Sequence, residues 1–110
     1  GSWSLTLNGG LTPTITYAAY TKIGNKVFLN AYIQIPSNSS STTMVIAGLP
    51  YASVSDGACA VSYTTSTVDN LAILVQGSGV YVYKDTPSVN VTLAEFSGKY
   101  LLFAGHYTAA

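Results

Sequence analysis

Charge is what this chain has least of. Lys, Arg, Asp and Glu make up 7% of its 110 residues, and the formal net charge is zero. A typical domain is about 25% charged. There is no arginine, and the cations are Lys22, Lys26, Lys84 and Lys99. Four lysines cannot easily build the basic patch that releases counterions from nucleic acid. The same shortage argues against docking on an anionic membrane. One cysteine, Cys59, excludes an internal disulfide. It sits in the run Ala58-Cys59-Ala60-Val61 and reads as a small packed hydrophobe. His106 is the one histidine and has no second His or Cys with which to share a metal. The longest apolar runs are too short to span a bilayer, and no signal peptide is legible.

The carboxylates are Asp56, Asp69, Asp85 and Glu95. Hydrolysis of a glycosidic bond needs two of them about 5–10 Å apart. Asp56 and Asp69 stand in turn-forming contexts, where Asp is usually structural. No Ser-His-Asp pattern surrounds His106. Gly77-Ser78-Gly79 lacks the lysine and the following helix of a phosphate loop, and reads as a turn. The expectation is therefore no catalytic residues, no metal and no cofactor.

What the chain has instead is β-branched and aromatic residue, with nine tyrosines. Turn signals recur at the spacing of about 8–12 residues expected of a sandwich or barrel. Strands are expected over 4–8, 15–23, 26–35, 43–47, 52–55, 58–64, 71–75, 80–83 and 100–107. Gly24-Asn25, Asp56-Gly57 and Gln76-Gly77-Ser78-Gly79 read as hairpin turns. Leu93–Phe96 reads as one helical turn, and no amphipathic helix of useful length is present. Gly1-Ser2 reads as a remnant of tag removal, which leaves residues 3–110 as one domain. Trp3 reads as a core or interface anchor. With so few Lys and Pro to guard sheet edges, closure of the sheet or cover by neighbouring subunits is expected.

The strand 26–35 alternates. Val27, Leu29, Ala31, Ile33 and Ile35 share an aliphatic side; Phe28, Asn30, Tyr32 and Gln34 share the other. Rings mixed with amides suit a contact surface. In Val80-Tyr81-Val82-Tyr83-Lys84-Asp85 the valines share one side and Tyr81, Tyr83 and Asp85 the other. Flat rings with a carboxylate beyond them form a candidate sugar platform. The candidate ligand-binding residues are thus Tyr81, Tyr83, Asp85, Asn30, Tyr32 and Gln34. The competing reading is ordinary sheet packing or subunit contact, since Tyr is common in both.

The string Tyr20-Thr21-Lys22-Ile23-Gly24-Asn25-Lys26-Val27-Phe28-Leu29-Asn30-Ala31-Tyr32-Ile33 resembles a module at the distal end of bacteriophage tail fibres and tailspikes. Trp3-Ser4-Leu5-Thr6-Leu7, Ile46-Ala47-Gly48-Leu49-Pro50-Tyr51, Phe96-Ser97-Gly98-Lys99-Tyr100-Leu101 and Ala104-Gly105-His106-Tyr107 agree with it in order. The resemblance implies an all-β sandwich that forms a homotrimer at the tip of a fibre in the virion; the need to protect sheet edges makes the expected form an antiparallel β-sandwich of jelly-roll type. The resemblance implies either binding of host cell-surface polysaccharide or a structural role in trimerisation. It further implies attachment to the remainder of the tail fibre through the N-terminus; the charge shortage and short apolar runs lead to the expectation of no nucleic-acid partner and no membrane insertion. The resemblance supplies no fixed set of binding residues.

Overall fold

A computed structural model describes residues 1–68, 70–84 and 89–109. The fold is all-β and antiparallel. Its strands are β1 (Thr6–Leu7), β2 (Thr14–Ile23), β3 (Lys26–Gln34), β4 (Val45–Ala47), β5 (Ser53–Thr64), β6 (Ala72–Gln76), β7 (Gly79–Lys84), β8 (Val89–Asn90) and β9 (Tyr100–Ala109). One single-turn 3-10 helix, Leu93–Phe96, precedes β9. The strands form one curled sheet in the order β1-β4-β7-β6-β5-β9-β3-β2, with β8 pairing β7 to one side.

Local sequence explains the tight connections. Gly24 takes φ +60° in the two-residue turn between Ile23 and Lys26, and nothing crowds its missing side chain. Gly77 does the same between Gln76 and Gly79. Both hairpins stand where the turn residues predict them.

Asp56-Gly57 is a correction. No hairpin forms there, because β5 runs unbroken from Ser53 to Thr64. The pair is a bulge instead. Ser55 lies opposite Thr108 and Ala58 opposite His106, so two residues face the single Tyr107. Gly57 is required by packing. A Cβ there would collide with the Tyr107 Cβ and the His106 carbonyl. A bulge and a turn place the same residue types in sequence, and only the partner strand distinguishes them.

The inner face of the curl is the core. Val27, Leu29, Ala31 and Ile33 of β3 are buried, as alternation predicts, together with Leu101, Phe103 and Tyr107 of β9. Ile73 and Val75 of β6, Val80 and Val82 of β7, and Ile46 of β4 meet them from the other half of the sheet. Burying each such aliphatic side chain contributes about 1.5–3 kcal/mol. No polar or charged residue is buried among the described residues.

Both sheet edges are covered by one segment. Trp3 N–H donates to Ala18 O at 3.0 Å and Tyr20 N–H to Gly1 O at 2.8 Å, along β2. Four residues after Trp3, Leu7 pairs Ile46 of β4. Asn8 prolongs this pairing with its side chain: Nδ2 donates to Thr43 O and Oδ1 accepts from Val45 N–H. Residues 1–8 thus run along β2 at one end of the sheet order and form β1 at the other. Trp3 itself is in the core, its ring edge-on to Phe103 at 6.5 Å. Gly48, at φ +91°, lets this segment pass, since a Cβ there would strike the Ser4 carbonyl.

Candidate functional site

The outer face of the β2-β3-β9-β5 panel carries an aromatic cluster. On β3, whose inward residues are fixed by the core, Phe28, Asn30, Tyr32 and Gln34 must point outward. Register places Tyr17 of β2 directly opposite Tyr32. On β9 Leu102 lies opposite Tyr32 and, on its other side, Tyr63 of β5. Tyr100 lies opposite Gln34. The rings close around Tyr32. Its centroid is 6.2 Å from Tyr17, 6.3 Å from Tyr63 and 5.7 Å from Tyr100. The Tyr17 and Tyr63 contacts are edge-to-face, at 64° and 84°. Such contacts add about 0.5–1.5 kcal/mol each beyond burial. The central ring is half-buried, whereas Tyr17, Tyr63 and Tyr100 remain 42%, 48% and 37% exposed.

Hydroxyl-bearing residues border the cluster. Tyr100 N–H donates to Thr65 Oγ1 at 2.9 Å, and Thr64 Oγ1 donates to Tyr100 O at 2.9 Å. Gln34 Nε2 donates to Gly98 O at 3.3 Å. These bonds hold the strand ends beneath the rings. Further along the same face come Ala104, Ala60 and Ala58, all exposed, and then Phe28 against His106 at 5.9 Å. A shallow depression of about 130 Å³, lined by Ala19, Tyr20, Thr21, Phe28, Leu29 and Asn30, lies on the β2–β3 hairpin.

The six sequence candidates separate. Asn30, Tyr32 and Gln34 share the outer face of β3, as alternation predicts. Tyr81 and Tyr83 are half-buried on β7, with Val80 and Val82 buried on its other side. Three strands, β6, β5 and β9, stand between the two groups, so they do not form one platform. Asp85 lies outside the described residues, as does Asp69. Sequence reading missed Tyr17, Tyr63 and Tyr100. The Gly24-Asn25 hairpin could have set Tyr17 opposite Tyr32, but the approach of Tyr63 and Tyr100 depends on β9 inserting between β3 and β5.

The charged groups are mostly committed elsewhere. Lys84 is ion-paired with Glu95. Burial raises the Glu95 carboxyl, but Lys84 and the Thr92 N–H, at 2.8 Å, outweigh it and hold the group below its ordinary value. Lys22 Nζ lies 5.3 Å over the Tyr51 ring, and Lys26 Nζ donates to Thr108 Oγ1 at 2.8 Å. Burial pushes the Cys59 thiol up to about 11, which removes the thiolate that nucleophilic chemistry requires. Among the described residues no three His, Cys, Asp or Glu side chains gather as metal ligands. No helix among them is long and apolar enough to cross a membrane.

Compared with protein-family models, with curated proteins and with solved structures, the chain finds no match.

Proposed function

We propose that this domain is a non-catalytic glycan-binding module, a receptor-binding tip of a phage tail fibre or tailspike that recognises host cell-surface polysaccharide. The observation that carries the reading is the four-tyrosine cluster centred on Tyr32. Flat, partly exposed rings offer faces to sugar C–H groups, and Asn30 and the proton of the Thr65 hydroxyl, whose oxygen accepts from Tyr100 N–H, offer hydrogen bonds to hydroxyls. Monomeric domains do not usually group exposed rings without a partner for them. The virion location rests on the resemblance of the motifs around Gly24, Gly48 and Gly98. In this reading the curled sheet is a jelly-roll-type sandwich, with β2-β3-β9-β5 facing β6-β7-β4-β1 across the core.

One shallow site of this kind binds weakly, at about mM, or roughly 4 kcal/mol. A homotrimer with three sites raises avidity by about 10²–10⁴. Titration of the assembled protein with polysaccharides from candidate hosts tests the proposal. Saturable binding lost in Tyr32→Ala is the expected result, and no binding to any of them counts against it.

A second reading is favoured by a different observation. Ala58, Ala60 and Ala104 form a flat exposed strip beside the tyrosines, and Ile15, Ile23, Val54 and Phe28 are also exposed. Small side chains let sheets approach closely, so the domain would serve as a structural trimerisation or folding cap of the fibre. Deleting residues 3–110 from the parent fibre separates the two readings. A receptor module alone leaves a trimer that no longer adsorbs; a folding cap leaves no trimer.

A further inference from the structure

We infer that the tyrosine cluster grips an internal stretch of a linear, uncharged polysaccharide, rather than a chain end or an anionic glycan. The inference rests on the glycan-binding reading above and specifies its ligand.

Shape comes first. A site for a terminal sugar encloses it, as small-molecule sites generally do. Here the rings stand on the outer face of paired strands, and three of the four keep more than a third of their surface in solvent. A chain can therefore enter and leave at both sides.

Length follows from register. Tyr17, Tyr32 and Tyr63 lie on β2, β3 and β5, so their row crosses the strands. From β2 to β5 is three inter-strand steps, about 14 Å at the usual spacing. Successive rings are 6.2 Å and 6.3 Å apart, close to the width of one pyranose. The row accommodates a disaccharide to trisaccharide segment.

Charge decides the class. Lys26 is six residues from Tyr32 along β3, about 20 Å away. Lys84 is neutralised by Glu95. Lys99 adjoins Tyr100, off the Tyr17–Tyr32–Tyr63 row, and Lys22 donates to the Gly24 carbonyl and lies over the Tyr51 ring. The row itself offers rings, amides and hydroxyls. An anionic sugar would lose hydration there without gaining a cation.

The test is gel retardation of the intact protein in linear neutral polysaccharides (dextran, mannan, galactan) and in anionic ones (hyaluronan, alginate). Calorimetric titration with mono- to hexasaccharides of any retarding polymer follows. Retardation by a neutral polymer, unchanged between low and high salt, is expected. Affinity should rise to about the trisaccharide and then level. Tyr63→Ala, at the most exposed ring, should weaken binding about tenfold. Tyr32→Ala should abolish retardation. Retardation only in the anionic polymers, lost in salt or in Lys99→Gln, overturns this inference and leaves the glycan-binding reading intact. So does a monosaccharide that binds as tightly as its oligomers. No retardation by any polymer, with the fold verified by circular dichroism, removes both.

Discussion

Replacing Tyr107 by Phe tests how the domain fixes its ends. Tyr107 is 1% exposed, and its ring fills the core between β9 and the β5 bulge. Its hydroxyl donates to Tyr51 O at 2.7 Å and accepts from Tyr51 N–H at 3.3 Å, across 56 residues of chain. The phenol thereby ties the loop after β4 to the last strand. Phe keeps the ring and removes only these bonds. A net hydrogen bond is worth about 1 kcal/mol, and the longer one is worth less. Tyr51 is partly exposed, so water takes over part of the bonding. The expected loss is about 1–2 kcal/mol, or about 5–10 °C in Tm for a domain of this size. Urea and thermal unfolding measure it, with Tyr17→Phe as the control expected to stay within about 0.5 kcal/mol. If Tyr107→Phe is as stable as the parent, the hydroxyl is no tie and the reasoning fails. Burial also raises the Tyr107 phenol above its ordinary value. Its contribution is therefore whole below about pH 10 and is lost as pH rises through the folded value.

Gly48→Ala should destabilise severely or prevent folding, because a Cβ at φ +91° meets the Ser4 carbonyl. Gly24→Ala, at φ +60° with nothing nearby, should cost only about 1 kcal/mol; equal losses in denaturant titration would show that residues 1–8 do not hold the edge. Glu95 is held below its ordinary value, so its contribution is whole above about pH 4.3 and declines as pH falls further. Glu95→Gln should flatten that acid limb of a stability-against-pH curve. Tyr83→Ala should cost about 1.5–2.5 kcal/mol, half the usual penalty for a fully buried ring, and leave glycan titration unchanged, since three strands separate Tyr83 from Tyr32.

Local patterning made much of the fold legible. Gly24-Asn25 between two lysines gave a turn, and the strict alternation of 27–35 gave an inner and an outer side, both as observed. These features depend on neighbours in sequence. What stayed hidden depends on strand order. Asp56-Gly57 has the composition of a turn, yet Tyr107 holds it in a bulge. The short strand β8 exists because Tyr83 and Lys84 offer it an edge. Tyr17 meets Tyr32 across the Gly24-Asn25 hairpin, whereas Tyr63 and Tyr100 reach it only through β9. Parity told which tyrosines shared a side of one strand, and nothing in it joined Tyr32 to rings on other strands or parted it from Tyr81 and Tyr83.

That dependence on strand order has a thermodynamic consequence. The four rings come from β2, β3, β5 and β9, so the cluster exists only when the sheet is assembled. β3 and β9 pair along nine consecutive residues beneath it, which fixes the rings before a ligand arrives and lowers the ordering cost of binding. A ligand that binds the folded chain alone must stabilise it. With a dissociation constant of about 1 mM, 10 mM of the matching oligosaccharide adds about 1.4 kcal/mol. Tm should rise by about 5 °C, independently of protein concentration. If the rings instead pack against another subunit, the sugar leaves Tm unchanged at every protein concentration, while assembly alone makes Tm climb with protein. Differential scanning fluorimetry over a grid of the two concentrations reads both effects at once. A Tm that responds to protein and ignores every glycan would assign the tyrosines to assembly.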